Sequence, residues 1–524
     1  MKLPSVTFVR PAGLPVALIS SLALLSLLAG CGGGGGSSGS SQFPDPGSSS
    51  QGDPIPTDVF NTYWNLCAAP RKGVDIDGKP YPDRQGTLLD ELKFLRGWAN
   101  DYYLWYREIP TTYRMANFDN ALDYFNVLKT PALTASGKPK DKYHFTYPSD
   151  EWDAMNTSGI DFGYGVTWTR NSATAPRTWQ AAIVVPGSPA AVAGMRRGDL
   201  LVRVDGVDFV NANDKASVDR INAGLFPERE GERHTFTVRR ANVDIAMTLA
   251  AANVVSDPVQ NVKVIDTPTG KVGYLTFSSH NAVSEKQLID AFNQLKAAGA
   301  TDLVIDMRYN GGGLLYLASE LAYMIAGPAR TKNMTFERLQ YNDKTPPQAP
   351  IPFRSTAYGF ETANPATPGQ ALPYLGLDRV TVLTTAGTCS ASEAVINGLR
   401  GVDVEVNLIG GQTCGKPYGF TPTPNCGTTY FSVEFGGVNQ KGFGDYADGM
   451  APTCNVADDL SHEVGDPAEG LLAAALNYRV TNACPPVLMA RAMSSSSSSS
   501  TPAPTPMTLV RPEAKEISIY TRPR

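Results

Sequence analysis

The sequence has little excess of charge of either sign. Lys and Arg number 45 against 50 Asp and Glu over 524 residues, and only 18% of residues are charged. A polybasic nucleic-acid-binding surface and a strongly acidic, solvating chain are both excluded, so no nucleic-acid partner is expected. Histidine is scarce, with only His144, His234, His280 and His462. Catalysis built on an imidazole therefore has few candidates. No two cysteines form the C-x2-4-C half of a zinc site, so no metal is expected, and no cofactor motif is present. The apolar stretch Val16–Gly30 stops short of the ~20 residues that span a bilayer. Internal repeats are absent. What remains is a globular composition, 42% hydrophobic, with room for roughly three domains at ~150 residues each.

The seven cysteines are an odd number. Lys2 and Arg10 precede the apolar stretch, which ends in Leu28-Ala29-Gly30-Cys31. The arrangement is that of a signal-peptide core closed by small residues before a cysteine. It resembles the lipobox of bacterial lipoproteins. The resemblance implies a signal peptide over 1–30, lipidation of Cys31, and a periplasm-facing protein held on the membrane by its lipid. Gly32 as the next residue favours the outer membrane. Without Cys31 the set is even: Cys67, Cys389, Cys414, Cys426, Cys454 and Cys484. Up to three disulfides are possible in an oxidising compartment, with 15 connectivities open.

Residues 31–56 are mostly Gly, Ser, Pro and Asp with almost no large apolar side chains and read as a flexible tether, and 485–524 read as a disordered tail. A formal G-x-S-x-G at 35–39 sits inside that tether without a strand or helix around it and is not a nucleophile elbow. From 57 to 152, apolar residues recur at three- and four-residue steps and aromatics are dense, predicting a small helical domain. The aromatics suit a core, although a cleft lining is open to them. Asp75-Ile76-Asp77-Gly78 starts like a calcium loop but lacks its later ligands. From 158 to 255 the pattern turns to strands and Gly-bounded turns. From 262 to 484 strands and amphipathic helices alternate, which predicts βαβ units on a largely parallel sheet.

Three segments of the last region fall where strands run out, the usual place for an α/β active site. Asp306-Met307-Arg308-Tyr309-Asn310-Gly311-Gly312-Gly313 carries glycines whose amides can approach an anion, and lacks the G-K-[ST] of a phosphate loop. Thr388-Cys389-Ser390-Ala391-Ser392-Glu393 puts a serine where a helix begins, a position suited to an N-cap and equally to a nucleophile. Gly415-Lys416-Pro417 puts a lysine in a turn after a buried strand. A desolvated lysine with a lowered pKa can serve a serine as base.

The run Gly187-Ser188-Pro189-Ala190-Ala191, with Ala193-Gly194 and Arg197-Gly198-Asp199, resembles a PDZ domain of the protease-associated type. Such domains add a partner's C-terminus to a sheet edge. By position its carboxylate loop is Phe162-Gly163-Tyr164-Gly165. With this upstream, D-x-R-x-N-G-G-G followed by S-A-S-E and by G-K, 26 residues beyond Ser390, resembles the tail-specific or C-terminal processing serine proteases over about 57–480.

The resemblance implies an α/β, multidomain fold: an N-terminal helical domain, a PDZ-like β domain and a crotonase-like protease domain with a mostly parallel sheet. It makes Ser390 the nucleophile and Lys416 the base. The oxyanion donors would be the amide of Ala391 and one from Gly311 or Gly312, with Arg308 and Asn310 supporting the glycine loop. Substrates would be proteins or peptides with accessible C-termini. One departure is Phe420, where the family typically carries a Gln that orients the lysine. Thr388, Thr413 or a carbonyl could stand in, and a non-catalytic PDZ adaptor becomes an alternative. A Ser–His–Asp triad would have to draw on His280 or His462.

Overall fold

The computed structural model of the protein describes residues 52–75, 78–158, 160–255, 257–486, 508–510 and 518–520. The expected signal peptide over 1–30, Cys31, most of the expected tether over 31–56, and Ile76 and Asp77 lie outside them. Among the described residues no helix is long and apolar enough to cross a membrane.

The first region is built on α1 (Leu88–Tyr102) and α2 (Ala121–Val127). Thr87 starts α1 by accepting from the Asp90 amide, and the Asp90 carboxylate accepts from the Thr87 amide in return. Phe94, Trp98 and Phe125 form its core, which Tyr430 and Val433 of the last domain complete. The aromatics are thus mainly core. The region is not wholly helical, because Phe145–Pro148 pairs as an edge strand with Thr428–Phe431. A Cys67–Cys426 disulfide makes the same connection covalently.

The second region is an antiparallel sheet of β1 (Val166–Arg170), β2 (Trp179–Val184), β3 (Leu200–Val204), β4 (Arg233–Arg240) and β5 (Val243–Ala250), ordered β5-β4-β3-β2-β1. Helix α3 (Lys215–Leu225), capped by Asp214, packs on it. Ile160–Gly163 pairs with Ala252–Val255, bringing the two ends of the domain together.

The third region holds β6 (Val259–Thr267), β7 (Gly270–Phe277), β8 (Asp302–Asp306), β10 (Arg379–Thr384), β11 (Glu405–Gly410) and β12 (Cys454–Asn455), adjacent in that order, with β9 (Gly312–Leu314) off the sheet. Only β6 runs antiparallel to its neighbour. Helices α4 (Ser284–Ala297), α5 (Leu315–Thr331) and α6 (Ala391–Gly401) contribute to the larger core, and α7 (Gly470–Thr481) packs its Leu471, Leu472 and Ala475 on the other face. Burial on both faces explains why DLVID and RVTVLT read as continuous apolar runs.

The 485–524 tail differs from its expectation. Two pieces of it are strands: β13 (Thr508–Val510) adds antiparallel to β1, and β14 (Ser518–Tyr520) pairs parallel with β9. The rest of the tail beyond residue 486 lies outside the described residues.

Candidate active site

Strands β8, β10 and β11 lie side by side and parallel, so their carboxyl ends deliver the three motifs to one place. After β10 the chain turns through Thr385–Cys389 into α6. Ser390 stands at the N-cap with φ 62° and ψ −115°, a sparsely populated positive-φ conformation that costs a non-glycine residue about 1–3 kcal/mol. Its hydroxyl is buried and has no hydrogen-bond partner, so it is not spent on capping the helix.

Lys416 is wholly buried. Its Nζ lies 4.1 Å from the centre of the Phe420 ring and 5.0 Å from that of Tyr143. Burial holds the amine well below the ordinary lysine range, against the smaller opposing pull of Asp141 and Glu393. Ring faces attract a cation by about 0.5–2 kcal/mol, less than the several kcal/mol lost on desolvating one. Phe420 therefore supplies an apolar wall where a glutamine was expected. The Thr388 hydroxyl donates to the Met307 carbonyl and that of Thr413 to Glu393, so both expected substitutes have their protons committed elsewhere.

Glu393 joins the two loops. Its Oε2 accepts from the amides of Ser390 (2.9 Å) and Lys416 (2.8 Å), and its Oε1 from the Gly415 amide (2.8 Å) and the Thr413 hydroxyl (2.5 Å). All four partners donate, so the arrangement suits the carboxylate. Burial raises its pKa and these hydrogen bonds oppose the rise. A Cys389–Cys414 disulfide spans the same two loops. It consumes both thiols of the one cluster with metal-ligand spacing among the described residues, Cys389, Glu393 and Cys414. The remaining pair is Cys454–Cys484.

The glycine loop is fixed from beneath. The Asn310 side chain accepts from His280 Nδ1 and from the Gly312 amide, both at 3.0 Å, while its carbonyl accepts from the Cys389 amide and the Ser392 hydroxyl. One expectation changes here: Gly312 has its amide turned to Asn310. The amides of Gly311 and Ala391 have no acceptor among the described residues. Gly313 must be glycine, since a Cβ would lie 2.4 Å from the His280 carbonyl oxygen. Arg308 is buried between Asp306, Asp458 and Glu469.

The histidines do not build a triad. His280 is buried behind the glycine loop, its pKa lowered to about 3 by burial, and its main chain pairs with Gly312 and Leu314. His462 is exposed and bound to Asp459. His144 contacts the Phe125 carbonyl, and His234 contacts Asp205 and Glu232.

The expected carboxylate loop opens at the β1 edge. Gly163 and Gly165 have φ of 143° and 75°, and a Cβ on Gly165 would meet Ser188. Tyr164 is buried with its hydroxyl on the Gly224 carbonyl, and Phe162 is exposed. A cavity of about 1570 Å³ runs from Phe162–Gly165 to His280, Gly312 and Gly313. Arg197 bridges the domains: it donates to the Ala182 carbonyl, the Tyr309 hydroxyl and Asp458, and Asp458 also holds Arg308. Sequence reasoning missed Glu393, Asp141, Tyr143 and Arg197, though Glu393 stands in the S-A-S-E motif itself.

Comparison with known proteins agrees with this architecture. Residues 271–443 match Peptidase family S41 and residues 182–240 match the PDZ domain. The carboxyl-terminal-processing protease of Picosynechococcus sp. is 27% identical over 264 residues, covering 50% of this chain and 56% of that protein. That of Synechocystis sp. is 28% identical over 278 residues, covering 50% and 54%. A solved S41 protease structure from Bacteroides fragilis superposes with a TM-score of 0.57 at 25% identity, covering 76% of this chain and 97% of its own. The chain spans about half the length of the curated relatives it matches. Residues 271–443 thus form a Peptidase family S41 region and residues 182–240 a PDZ domain, in a chain that is similar to carboxyl-terminal-processing proteases over about half of its length.

Proposed function

We propose that the protein is a serine endopeptidase that cleaves unfolded or C-terminally tagged proteins through an acyl-enzyme, with Ser390 as nucleophile and Lys416 as base. The observation that carries this reading is the pairing of a strained serine, its hydroxyl uncommitted, with a fully buried lysine, on loops joined by Glu393. Neutral Lys416 takes the Ser390 proton as Oγ attacks the peptide carbonyl. The amides of Gly311 and Ala391 receive the oxyanion. The proton passes to the leaving amine, and water then hydrolyses the ester to give a new C-terminus. The PDZ edge holds the substrate's end and feeds the chain through the shared cavity.

Because burial lowers the Lys416 pKa from 10.5, activity rises with pH and levels off well below pH 10. The test is cleavage of an unfolded protein by wild type, Ser390→Ala and Lys416→Met. Loss in both variants supports the dyad. Equal cutting by all three refutes it, and no cutting by any favours the PDZ adaptor. Attachment through lipid on Cys31, facing the periplasm, belongs to the same proposal. It predicts acyl labelling that Cys31→Ala abolishes.

A further inference from the structure

The two peptide-binding surfaces of the molecule are already occupied by the molecule itself. At the PDZ edge, β13 pairs with β1 in the register Thr508↔Arg170, Leu509↔Thr169, Val510↔Trp168. This antiparallel addition beside the carboxylate loop is how such a domain takes a peptide. Val510 packs against the domain core. Leu509 reaches across to the nucleophile turn, where its Cδ1 stands 2.9 Å from the point a Cβ on Gly387 would occupy. Next, β14 runs beside the glycine loop with Ser518↔Gly312, Ile519↔Gly313 and Tyr520↔Leu314, and touches Tyr418–Gly419 just past Lys416.

The order of these two strands is opposite to that of a substrate. A protein captured by its C-terminus at Phe162–Gly165 presents residues upstream of that end to the catalytic loops. In the tail, the residues at the PDZ edge come first and those at the catalytic loops come second. Val510, at the PDZ edge, is followed in sequence by the residues of β14. The tail covers both surfaces in a polarity that does not follow the path of a processed chain.

We propose that the C-terminal tail is an intramolecular ligand of the PDZ edge and catalytic cleft, a reversed occupant that a substrate must displace. The inference rests on the PDZ-and-cleft reading above. Tethering makes a weak ligand effective: a segment binding at ~100 µM when free, held at ~1 mM effective concentration, leaves about one molecule in ten open. The apparent KM is then about tenfold above that of the open enzyme, with kcat unchanged.

The test uses the full chain carrying Leu509→Asp and Val510→Asp, which places two charges on the β13 contact. A fluorescent peptide of sequence 501–524 is titrated into Ser390→Ala protein with and without these changes. In parallel, KM and kcat are measured on an unfolded substrate with Ser390 intact. About tenfold tighter peptide binding and a tenfold lower KM at constant kcat support the inference. Unchanged peptide affinity, or unchanged KM in a chain that cuts, overturns it. Removal of its own tail beyond Val510 by the Ser390 enzyme, detected by intact mass, also overturns it, because the tail would then be a substrate. The binding arm needs no catalysis, so a chain that binds but never cuts fails the proteolytic reading and leaves this one standing.

Discussion

Glu393→Gln is a severe test of the site as assembled here. The carboxylate accepts four hydrogen bonds, two on each oxygen. A glutamine keeps one oxygen, and its amide nitrogen must face two of the four donors. The cheaper orientation leaves the oxygen on the Ser390 and Lys416 amides and turns the NH2 toward Thr413, whose hydroxyl can accept. The Gly415 amide is then buried without an acceptor, costing about 1–3 kcal/mol, and the surviving bonds lose roughly 1 kcal/mol each with the charge. The total is about 4 kcal/mol, which lowers the Tm of a melting unit the size of the 262–484 domain by roughly 8–16 °C. Below that Tm, kcat/KM should fall about a hundredfold under the proposed dyad, as the Ser390 and Lys416 loops lose their common acceptor. A pH profile separates positioning from simple damage. The Glu393 charge raises the Lys416 pKa, so its removal moves the acidic limb of the rate profile to lower pH. A variant that melts early with its residual activity on an unmoved limb would refute the argument.

The Cys389–Cys414 and Cys454–Cys484 bridges close similar spans, with separations of 25 and 30, and each is worth about 3.5 kcal/mol by loop closure. Double Cys→Ser variants should therefore lose similar Tm in denaturation scans, while only Cys389→Ser/Cys414→Ser loses activity below its melting point. Glu320 is buried beside Glu285, and burial, reinforced by that neighbour, pushes its pKa up to about 9. The fold thus holds a proton that the unfolded chain releases near pH 4.5, and stability falls by up to about 1.4 kcal/mol per pH unit from there toward 9. Glu320→Gln should raise Tm more at pH 8 than at pH 5, and an equal effect at both would contradict the assignment.

The parts of the fold that the sequence displayed are those with local signals. The strands ending at Asp306, Thr384 and Gly410 are buried on both faces and therefore continuous in their apolar character, and each runs into a turn rich in glycine or serine. Ser390 and Lys416 were legible because their motifs follow those ends. Glu393 was visible as a residue and silent as to role, since two of its partners are amides more than 20 positions downstream. Asp141 and Tyr143 belong to a different domain, and no spacing rule connects them to Lys416. Gly312 and Gly311 are equivalent in composition. Only the position of the Asn310 side chain separates them. In the tail, Thr-Leu-Val and Ser-Ile-Tyr are too short to show a period, and the Ser- and Pro-rich residues before them set the compositional reading.

The Cys67–Cys426 bridge has a consequence for the making of the protein. Its two cysteines are 359 positions apart, and the strand that Phe145–Pro148 joins lies immediately after Cys426. The aromatic region around Trp98 therefore cannot complete its core or close its covalent link until the chain has been synthesised past Cys426. Tyr430 and Val433 must arrive to cover Trp98 and Phe125. Until then a set of large aromatic side chains stands open to water. Among the described disulfides, Cys67 is the thiol with the longest wait for its partner.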